Sequence, residues 1–199
     1  MGFLEDNCTF AILSQKLLKA CHSFDCGHDD LNDFFINDSQ NYSEQLLGKS
    51  YCFLLDEDPK EIVCAFTISN DSIKTNFLPN NRKKKVNKEI PRVKQFRSYP
   101  AVLIGRLGVS DEFKKKGIGK ELMDFIKSWF IHPENKTGCR FVVVDSYNEE
   151  VPLSYYQHNG FNFLFSSEKQ EKEYMTLPEE YELETRLMFF DLIVLSYDD

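Results

Sequence analysis

Residues 106–122 have the sequence RLGVSDEFKKKGIGKEL, in which an apolar strand is followed by a short loop and then by a helix that begins at Gly117 and Gly119. Glycines allow the backbone to approach a ligand closely, and the unpaired N–H groups of a first helical turn bind anions. Lys114, Lys115 and Lys116 stand at the same helix N-terminus, where positive charge opposes the helix dipole. The stretch therefore predicts an anion site, and a solvated lysine run is the alternative.

Two common phosphate-binding motifs do not fit this loop. A Walker-type loop requires Gly-x4-Gly-Lys-Ser/Thr, and a dinucleotide fingerprint requires three glycines at fixed spacing. Gly117 and Gly119 satisfy neither pattern. Nucleotide triphosphate and dinucleotide sites are therefore set aside.

The flanking sequence predicts a βαβ unit around the loop. Residues 101–109 are an apolar strand, residues 117–131 an amphipathic helix, and residues 140–145 a β-branched strand. On the helix, an apolar stripe is expected to pack against the sheet, formed by Leu122, Ile126, Trp129 and Phe130.

The remaining chain alternates between further strand and helix patterns. Asp29 is a plausible N-cap for a helix that runs to about Leu47, before Gly48. Residues 72–99 show no sustained period, which predicts a long loop with at most a short helix. The other expected elements are strands at 9–13, 50–56, 62–69, 161–165 and 185–195, and a helix at 153–159, with 50–56 and 62–69 paired as a hairpin.

Length and composition predict one globular domain over residues 1–199. The chain has 18 Phe and 9 Tyr, which excludes intrinsic disorder, and no apolar run long enough for a membrane helix. Its start lacks the pattern of a secretory leader, so we expect a cytoplasmic protein. The six cysteines are expected to be free thiols. Because the cluster of Cys21, His22, Cys26 and His28 lacks the paired spacing of zinc ligands, we expect no metal.

The net charge of -8 hides a local excess of positive charge. Residues 74–97 contain nine basic side chains and the single acid Glu89, for a charge of +8. The other residues hold 15 basic and 31 acidic side chains, for a charge of -16. The negative net charge argues against a polyanionic partner, whereas the positive charge of residues 74–97 is compatible with one.

Two motifs together resemble the GNAT family of N-acetyltransferases. Lys114-x-x-Gly117-x-Gly119 after a strand is similar to the family's acetyl-CoA pyrophosphate loop, in which Gln or Arg is usual at the first position. Residues 145–148 followed by Tyr156-x-x-x-Gly160-Phe161 are similar to the family's strand, Asn and Tyr-x-x-x-Gly-Phe. The resemblance implies an α/β fold: a mixed sheet of about six to seven strands with helices on both faces, and a splayed parallel strand pair that holds acetyl-CoA.

The resemblance also implies roles for individual residues. Acetyl-CoA is the co-substrate, and a primary amine attacks its thioester directly. Tyr156 is the expected proton donor to the leaving thiolate, with Tyr155 as the alternative. The general base stays open among Asp145, Glu149, Glu150 and His158. The residues expected to bind the cofactor are Leu107, Gly108, Val109, Lys114, Lys115, Lys116, Gly117, Ile118, Gly119, Lys120 and Asn148.

A narrower similarity covers residues 24–35, FDCGHDDLNDFF, together with residues 106–109 and 185–190. These stretches resemble the subgroup that contains toxin acetyltransferases of bacterial toxin–antitoxin pairs. The implied substrate is aminoacyl-tRNA, with residues 74–97 as its basic surface, and an antitoxin is an implied partner. A small-molecule or protein amine is the rival acceptor, and a catalytically inactive interaction module is a third alternative. Residues 192–195 are expected either as part of the core or as an exposed strand edge, through which family members form homodimers.

Overall fold

The structure is a computed structural model that describes residues 2–196. By contacts, the chain divides into two compact units, Met1–Ser69 with Ile104–Ser128, and Asn70–Leu103 with Trp129–Asp199. The described strands form a mixed seven-stranded sheet in the order β1-β2-β3-β4-β5-β7-β6, and β3 (Ile62–Lys74) and β4 (Ser98–Val109) belong in part to each unit. The predicted α/β class and strand number are confirmed.

The first unit contains an antiparallel meander. Strands β1 (Cys8–Ile12) and β2 (Lys49–Leu55) pair with Phe10 opposite Phe53, and β2 pairs with β3 through a bulge between Phe53 and Leu54. The predicted hairpin is therefore confirmed. Short helices α1 (Phe3–Asn7) and α2 (Gln15–Ala20), which the sequence pattern did not predict, flank β1.

The predicted helix from Asp29 contains a π-helical turn. Its parts are α3 (Asp29–Asp33), a π-helix at Phe34–Asp38 and α4 (Ser39–Glu44). Phe35, in the π-turn, is fully buried, and Ser39 Oγ donates to the Phe35 carbonyl at 2.8 Å. The predicted N-cap was wrong by one residue: His28 holds that position and Asp29 is the first helical residue.

Helix α6 (Ile118–Ile131) follows β4 as predicted. Leu122 and Ile126 are fully buried, whereas Trp129 and Phe130 are only half-buried. Met123 and Ile118, which were not part of the predicted stripe, are as buried as Leu122. The buried face of the helix is therefore wider than the predicted one.

In the second unit, β5 (Phe141–Tyr147) and the two-residue β6 (Asn162–Phe163) pair antiparallel with β7 (Thr185–Asp191) from opposite sides. Helix α7 (Glu150–His158) follows β5, and α8 (Glu168–Met175) follows β6. The predicted last strand is too long, since Leu192–Leu195 is a 3-10 helix in which Leu192 is buried. Residues 192–195 therefore form no strand edge.

Residues 72–99 contain a short helix, as predicted, but they are more ordered than the predicted long loop. Strand β3 continues to Lys74, a 3-10 turn covers Thr75–Phe77, α5 covers Asn80–Val86, a second 3-10 turn covers Arg92–Lys94, and β4 begins at Ser98. Buried side chains fix this segment on the core of the second unit, namely Ile73, Leu78, Val86, Ile90 and Tyr99. Their spacing changes from turn to turn, so no single period was visible in the sequence.

Within residues 2–196, no helix is long and apolar enough to span a bilayer. The same part of the chain contains no group of three or more His, Cys, Asp or Glu side chains arranged to hold a metal ion.

Candidate functional site

The phosphate loop, which we define as residues 114–120, lies in the first unit between the end of β4 and helix α6. The 3-10 turn Asp111–Phe113 precedes it, and the Gly117 carbonyl accepts from the N–H groups of Lys120 and Glu121 at 3.0 and 3.2 Å. Gly117 adopts φ +84° and Lys115 adopts φ +60°, both in the left-handed region. The positive φ at Gly117 directs the chain into helix α6, and glycine adopts this conformation without strain because it has no side chain.

The loop has the features of an anion site. Among the described residues, the backbone N–H groups of Lys115, Lys116 and Gly117 donate to no backbone carbonyl. A Cβ added at Gly117 would meet nothing within 4 Å, so a ligand could approach the backbone there. Free N–H donors at the start of a 14-residue helix are a site for phosphate oxygens.

The lysines of the loop divide into two groups. Lys114 Nζ lies 2.6 Å from Asp111 Oδ1, and Lys120 Nζ lies 2.6 Å from Asp124 Oδ2. Lys116 stands over the Phe113 ring at 5.0 Å, and the Lys115 side chain is exposed. Lys115 and Lys116 therefore keep their charge available, while Lys114 and Lys120 already have carboxylate partners.

A turn at residues 24–27 is hydrogen-bonded to the 3-10 turn that precedes the phosphate loop. The Asp25 carbonyl accepts from Asp111 N–H at 3.0 Å, and its carboxylate accepts from Gly27 N–H and the Asn32 side chain at 2.8 and 2.7 Å. These hydrogen bonds hold the pKa of Asp25 below its usual range. Through Asp25, this turn fixes the 3-10 turn that precedes the phosphate loop.

Gly108 is the point at which β4 meets this turn. A Cβ on Gly108 would lie 3.0 Å from Cys26 Sγ and 3.4 Å from the Phe24 ring. Leu107 and Val109, on either side, are half-buried. A side chain at position 108 would therefore crowd Cys26 and Phe24, whether or not a ligand approaches the backbone there.

In the second unit, Asn148 lies directly after β5 and connects it to neighbouring segments. Its backbone N–H donates to the Glu184 carbonyl at 2.8 Å, and its amide donates to the Leu183 carbonyl and to Glu168 at 2.9 and 3.1 Å. Both amide hydrogens thus have protein acceptors. Only the amide oxygen of Asn148 is left to accept a hydrogen bond from a ligand.

Tyr156 lies on α7 with its ring against two other aromatic rings. The centroids of Tyr155 and Phe161 are 5.0 and 5.4 Å away. Burial raises the pKa of Tyr156 above that of an ordinary phenol. Among the described residues its hydroxyl forms no hydrogen bond, so the group holds a proton that is not committed to a protein acceptor.

The Gly-Phe pair after α7 closes this helix. Gly160 adopts φ +81° and its N–H donates to the Gln157 carbonyl, while Phe161 N–H donates to the Tyr156 carbonyl at 3.0 Å. A Cβ on Gly160 would lie 3.0 Å from the Phe190 ring. The motif therefore positions Tyr156 through the helix end that follows it.

The four candidate bases are all at the surface or near it. Asp145, Glu149 and Glu150 are exposed. The imidazole Nδ1 of His158 lies 2.7 Å from the Ser154 carbonyl, to which it donates. These contacts do not single out one of the four as the general base.

Sequence reasoning missed the Asp25–Asp111–Lys114 connection behind the phosphate loop. Asp111 and Lys114 stand three residues apart, which is a recognisable ion-pair spacing within a turn. The link from Asp111 to Asp25 joins residues far apart in sequence through a backbone carbonyl. No residue-type pattern marks such a bond.

Comparison with known sequences gives one family match. Residues 49–163, more than half of the chain, match a family model described as an acetyltransferase (GNAT) domain. No curated protein sequence matches the chain at a significant level.

Several solved structures have the same fold. A tyrosine-to-phenylalanine variant of KacT superposes with a TM-score of 0.71 at 18% identity, over 96% of this chain and 99% of that one. AtaT complexed with acetyl-methionyl-tRNAfMet gives 0.62 at 19% identity, over 96% and 98% of the two chains. AtaTR bound with acetyl-CoA gives 0.63 at 17% identity, also over 96% and 98%. At these identities the likeness shows the fold.

Proposed function

The chain belongs to the GNAT acetyltransferase family, and from that premise we propose that it transfers the acetyl group of acetyl-CoA to the amino-acid amine of an aminoacyl-tRNA. The observation that carries the choice of acceptor is the basic segment, residues 74–97, on an otherwise acidic chain. The fold it shares with AtaT, which has been solved with acetyl-methionyl-tRNAfMet, supports the same choice.

We propose that the phosphate loop binds the pyrophosphate of acetyl-CoA. The N–H groups of Lys115, Lys116, Gly117 and Ile118 are the proposed donors, with the side chains of Lys115 and Lys116 adding charge. The Lys120 N–H already donates to the Gly117 carbonyl. Lys114 contributes by holding the loop through Asp111. The backbone of Leu107, Gly108 and Val109 is the proposed partner of the pantetheine arm, and the Asn148 amide oxygen is the proposed acceptor for the cofactor.

The reaction then needs one attack and two proton movements. The unprotonated amine forms a bond to the thioester carbon, and the backbone N–H near Val109 stabilises the oxyanion that develops. The C–S bond breaks, and the thiolate takes a proton from Tyr156 while the new amide nitrogen loses one to water or a base. Tyr156 suits this role because a phenol is protonated near neutral pH and its hydroxyl forms no hydrogen bond with the described residues.

The remaining proposals concern partners and compartment. Structures of AtaT with its antitoxin AtaR support an antitoxin as the regulatory partner of this chain. A tRNA substrate implies a cytoplasmic enzyme. Residues 1–199 are proposed as one acetyltransferase domain, of which the structure describes 2–196. The homodimer stays a prediction, but it loses the strand edge at residues 192–195, because this segment is a 3-10 helix.

The decisive experiment measures thiol release from acetyl-CoA with a panel of acceptors. The panel contains aminoacyl-tRNAs, deacylated tRNA, free amino acids, polyamines and peptides. We expect release only with aminoacyl-tRNA, and mass spectrometry should place the acetyl group on the amino acid. Release with polyamines or peptides alone would favour the rival acceptor. If calorimetry detected no binding of acetyl-CoA, the inactive interaction module would be favoured.

A further inference from the structure

Two large aromatic side chains are exposed inside the basic segment. Phe77 and Phe96 keep 65% and 61% of their surface accessible. A phenylalanine ring gains nothing from water, so two largely exposed rings within one basic segment suggest a surface that binds a ligand. Neither residue has a role in the proposed chemistry.

The backbone holds the two phenylalanines on one rigid support. Thr75, which is fully buried, donates from its N–H to the Arg97 carbonyl at 2.8 Å and from its hydroxyl to the Phe96 carbonyl at 2.9 Å. The Tyr99 hydroxyl accepts from Phe96 N–H at 2.8 Å. The 3-10 turn that carries Phe77 is therefore tied to the segment just before β4 that carries Phe96.

Exposed cations flank both rings. Lys74 precedes the turn, and Lys94 and Arg97 stand on either side of Phe96 along the chain; all three are exposed. Glu89 is the only acid between residues 74 and 97. This local charge favours a polyanion over an apolar or basic protein surface.

We propose that Phe77 and Phe96 form a stacking surface for unpaired RNA nucleotides, with Lys74, Lys94 and Arg97 neutralising the adjoining phosphates. Every base has a face that stacks on an aromatic ring, whereas a duplex keeps those faces inside. An aminoacyl-tRNA carries its amino acid on an unpaired 3′ end, so the inference rests on the proposed function and extends it to a named surface.

The test is fluorescence anisotropy with a labelled single-stranded oligoribonucleotide that ends in CCA, and with a duplex of the same length. Phe77→Ala and Phe96→Ala should each weaken single-strand binding about five-fold or more, because a stacked base contributes ~1–3 kcal/mol. Duplex binding and the salt dependence should change little, and Phe77→Trp should retain the affinity. Because both rings are exposed, circular dichroism melts should match those of the unaltered chain.

Tyr181→Ala is the matched control, since Tyr181 is an exposed aromatic residue in the same unit, beside acidic residues. Equal losses for Tyr181→Ala and the phenylalanine variants, or no loss for the latter, would overturn the inference. The inference would also be overturned if the phenylalanine substitutions weakened binding of an acidic peptide but not binding of RNA. If the thiol-release assay still gave acetylated aminoacyl-tRNA in those cases, the proposed function would stand without this surface.

Discussion

Tyr156 is the side chain on which the proposed proton transfer depends. Tyr156→Phe keeps the ring between Tyr155 and Phe161 but removes the hydroxyl, so acetyl-CoA affinity should stay within about two-fold while kcat falls by about 100-fold or more. Stopped-flow or steady-state thiol release measures kcat, and calorimetry measures the affinity. Tyr155→Phe tests the alternative donor, and a fall in kcat for that variant alone would transfer the role to Tyr155.

The raised pKa of Tyr156 adds a pH criterion to the same variant. An ordinary phenol loses its proton near pH ~10, and burial moves the pKa of Tyr156 above that value. A raised pKa keeps the acid in its protonated form as pH rises, so kcat should not decline below about pH 10 through ionisation of this group. A fall in kcat at mildly alkaline pH that disappears in Tyr156→Phe would contradict the raised pKa, while supporting Tyr156 as the proton donor.

Gly108 shows how a residue of a cofactor motif is also fixed by packing. Gly108→Ala would force a methyl group to within 3.0 Å of Cys26 Sγ, and overpacking of this kind costs about 1–3 kcal/mol of folding free energy. Gly105→Ala is the matched control on the same strand, because its added Cβ meets nothing within 4 Å. Denaturant unfolding should separate the two variants, and Cys26→Ala should recover part of the lost stability in a double variant. Equal stability of both alanine variants would show that the strand gives way to the added methyl group.

At the level of elements, α5 docks on the edge of the sheet through Arg82. Its Nε donates to the Leu164 carbonyl at 2.6 Å and its Nη2 donates to the Phe163 carbonyl. Lys85, one turn further along the helix, donates to Asn162 at 2.8 Å. These contacts cover the carbonyl groups at and beside the two-residue strand β6, which stands last in the sheet order.

Arg82→Ala should therefore lower stability by about 1–3 kcal/mol, because it leaves two partly buried carbonyl groups without this donor. Lys83→Ala, at the exposed neighbouring position, should stay within about 0.5 kcal/mol of the unaltered chain. Chemical denaturation gives both values. If both substitutions leave the unfolding midpoint unchanged, Arg82 does not hold α5 in place, and its charge would be as available to RNA as that of Lys83.

The same elements explain where sequence reasoning succeeded. Residues 101–145 were predictable because a long apolar strand, a helix with a sustained period and a β-branched strand follow one another, and each pattern has a single interpretation. Residues 72–99 were not, because Leu78, Val86 and Ile90 reach the core from short turns whose spacing keeps changing. Around the phosphate loop, the glycines and lysines were visible in the sequence. The support from Asp25 was not visible in the sequence, because it depends on a tertiary hydrogen bond.

At the scale of the whole molecule, the distribution of charge matters more than its sum. A net charge of -8 should repel RNA, yet nine basic residues lie within 74–97. Some of these have protein partners, namely Arg82, Lys85 and Lys88. The cations left for phosphates are therefore fewer than the sequence count, and they include the exposed Lys83 and Lys84 on α5.

Salt dependence separates this local surface from the net charge. Removing one cation that binds a phosphate reduces the slope of log Kd against log salt by about 0.7–0.9, because fewer counterions are released. Lys83→Ala/Lys84→Ala should therefore lower the slope for tRNA by about 1.5. Lys16→Ala/Lys19→Ala, on exposed positions of α2, changes the net charge equally and should leave the slope intact. Filter binding between about 50 and 300 mM salt, a range that spans physiological screening, measures both. Equal slopes for the two double variants would mean that long-range charge, and not a defined surface on α5, governs RNA binding.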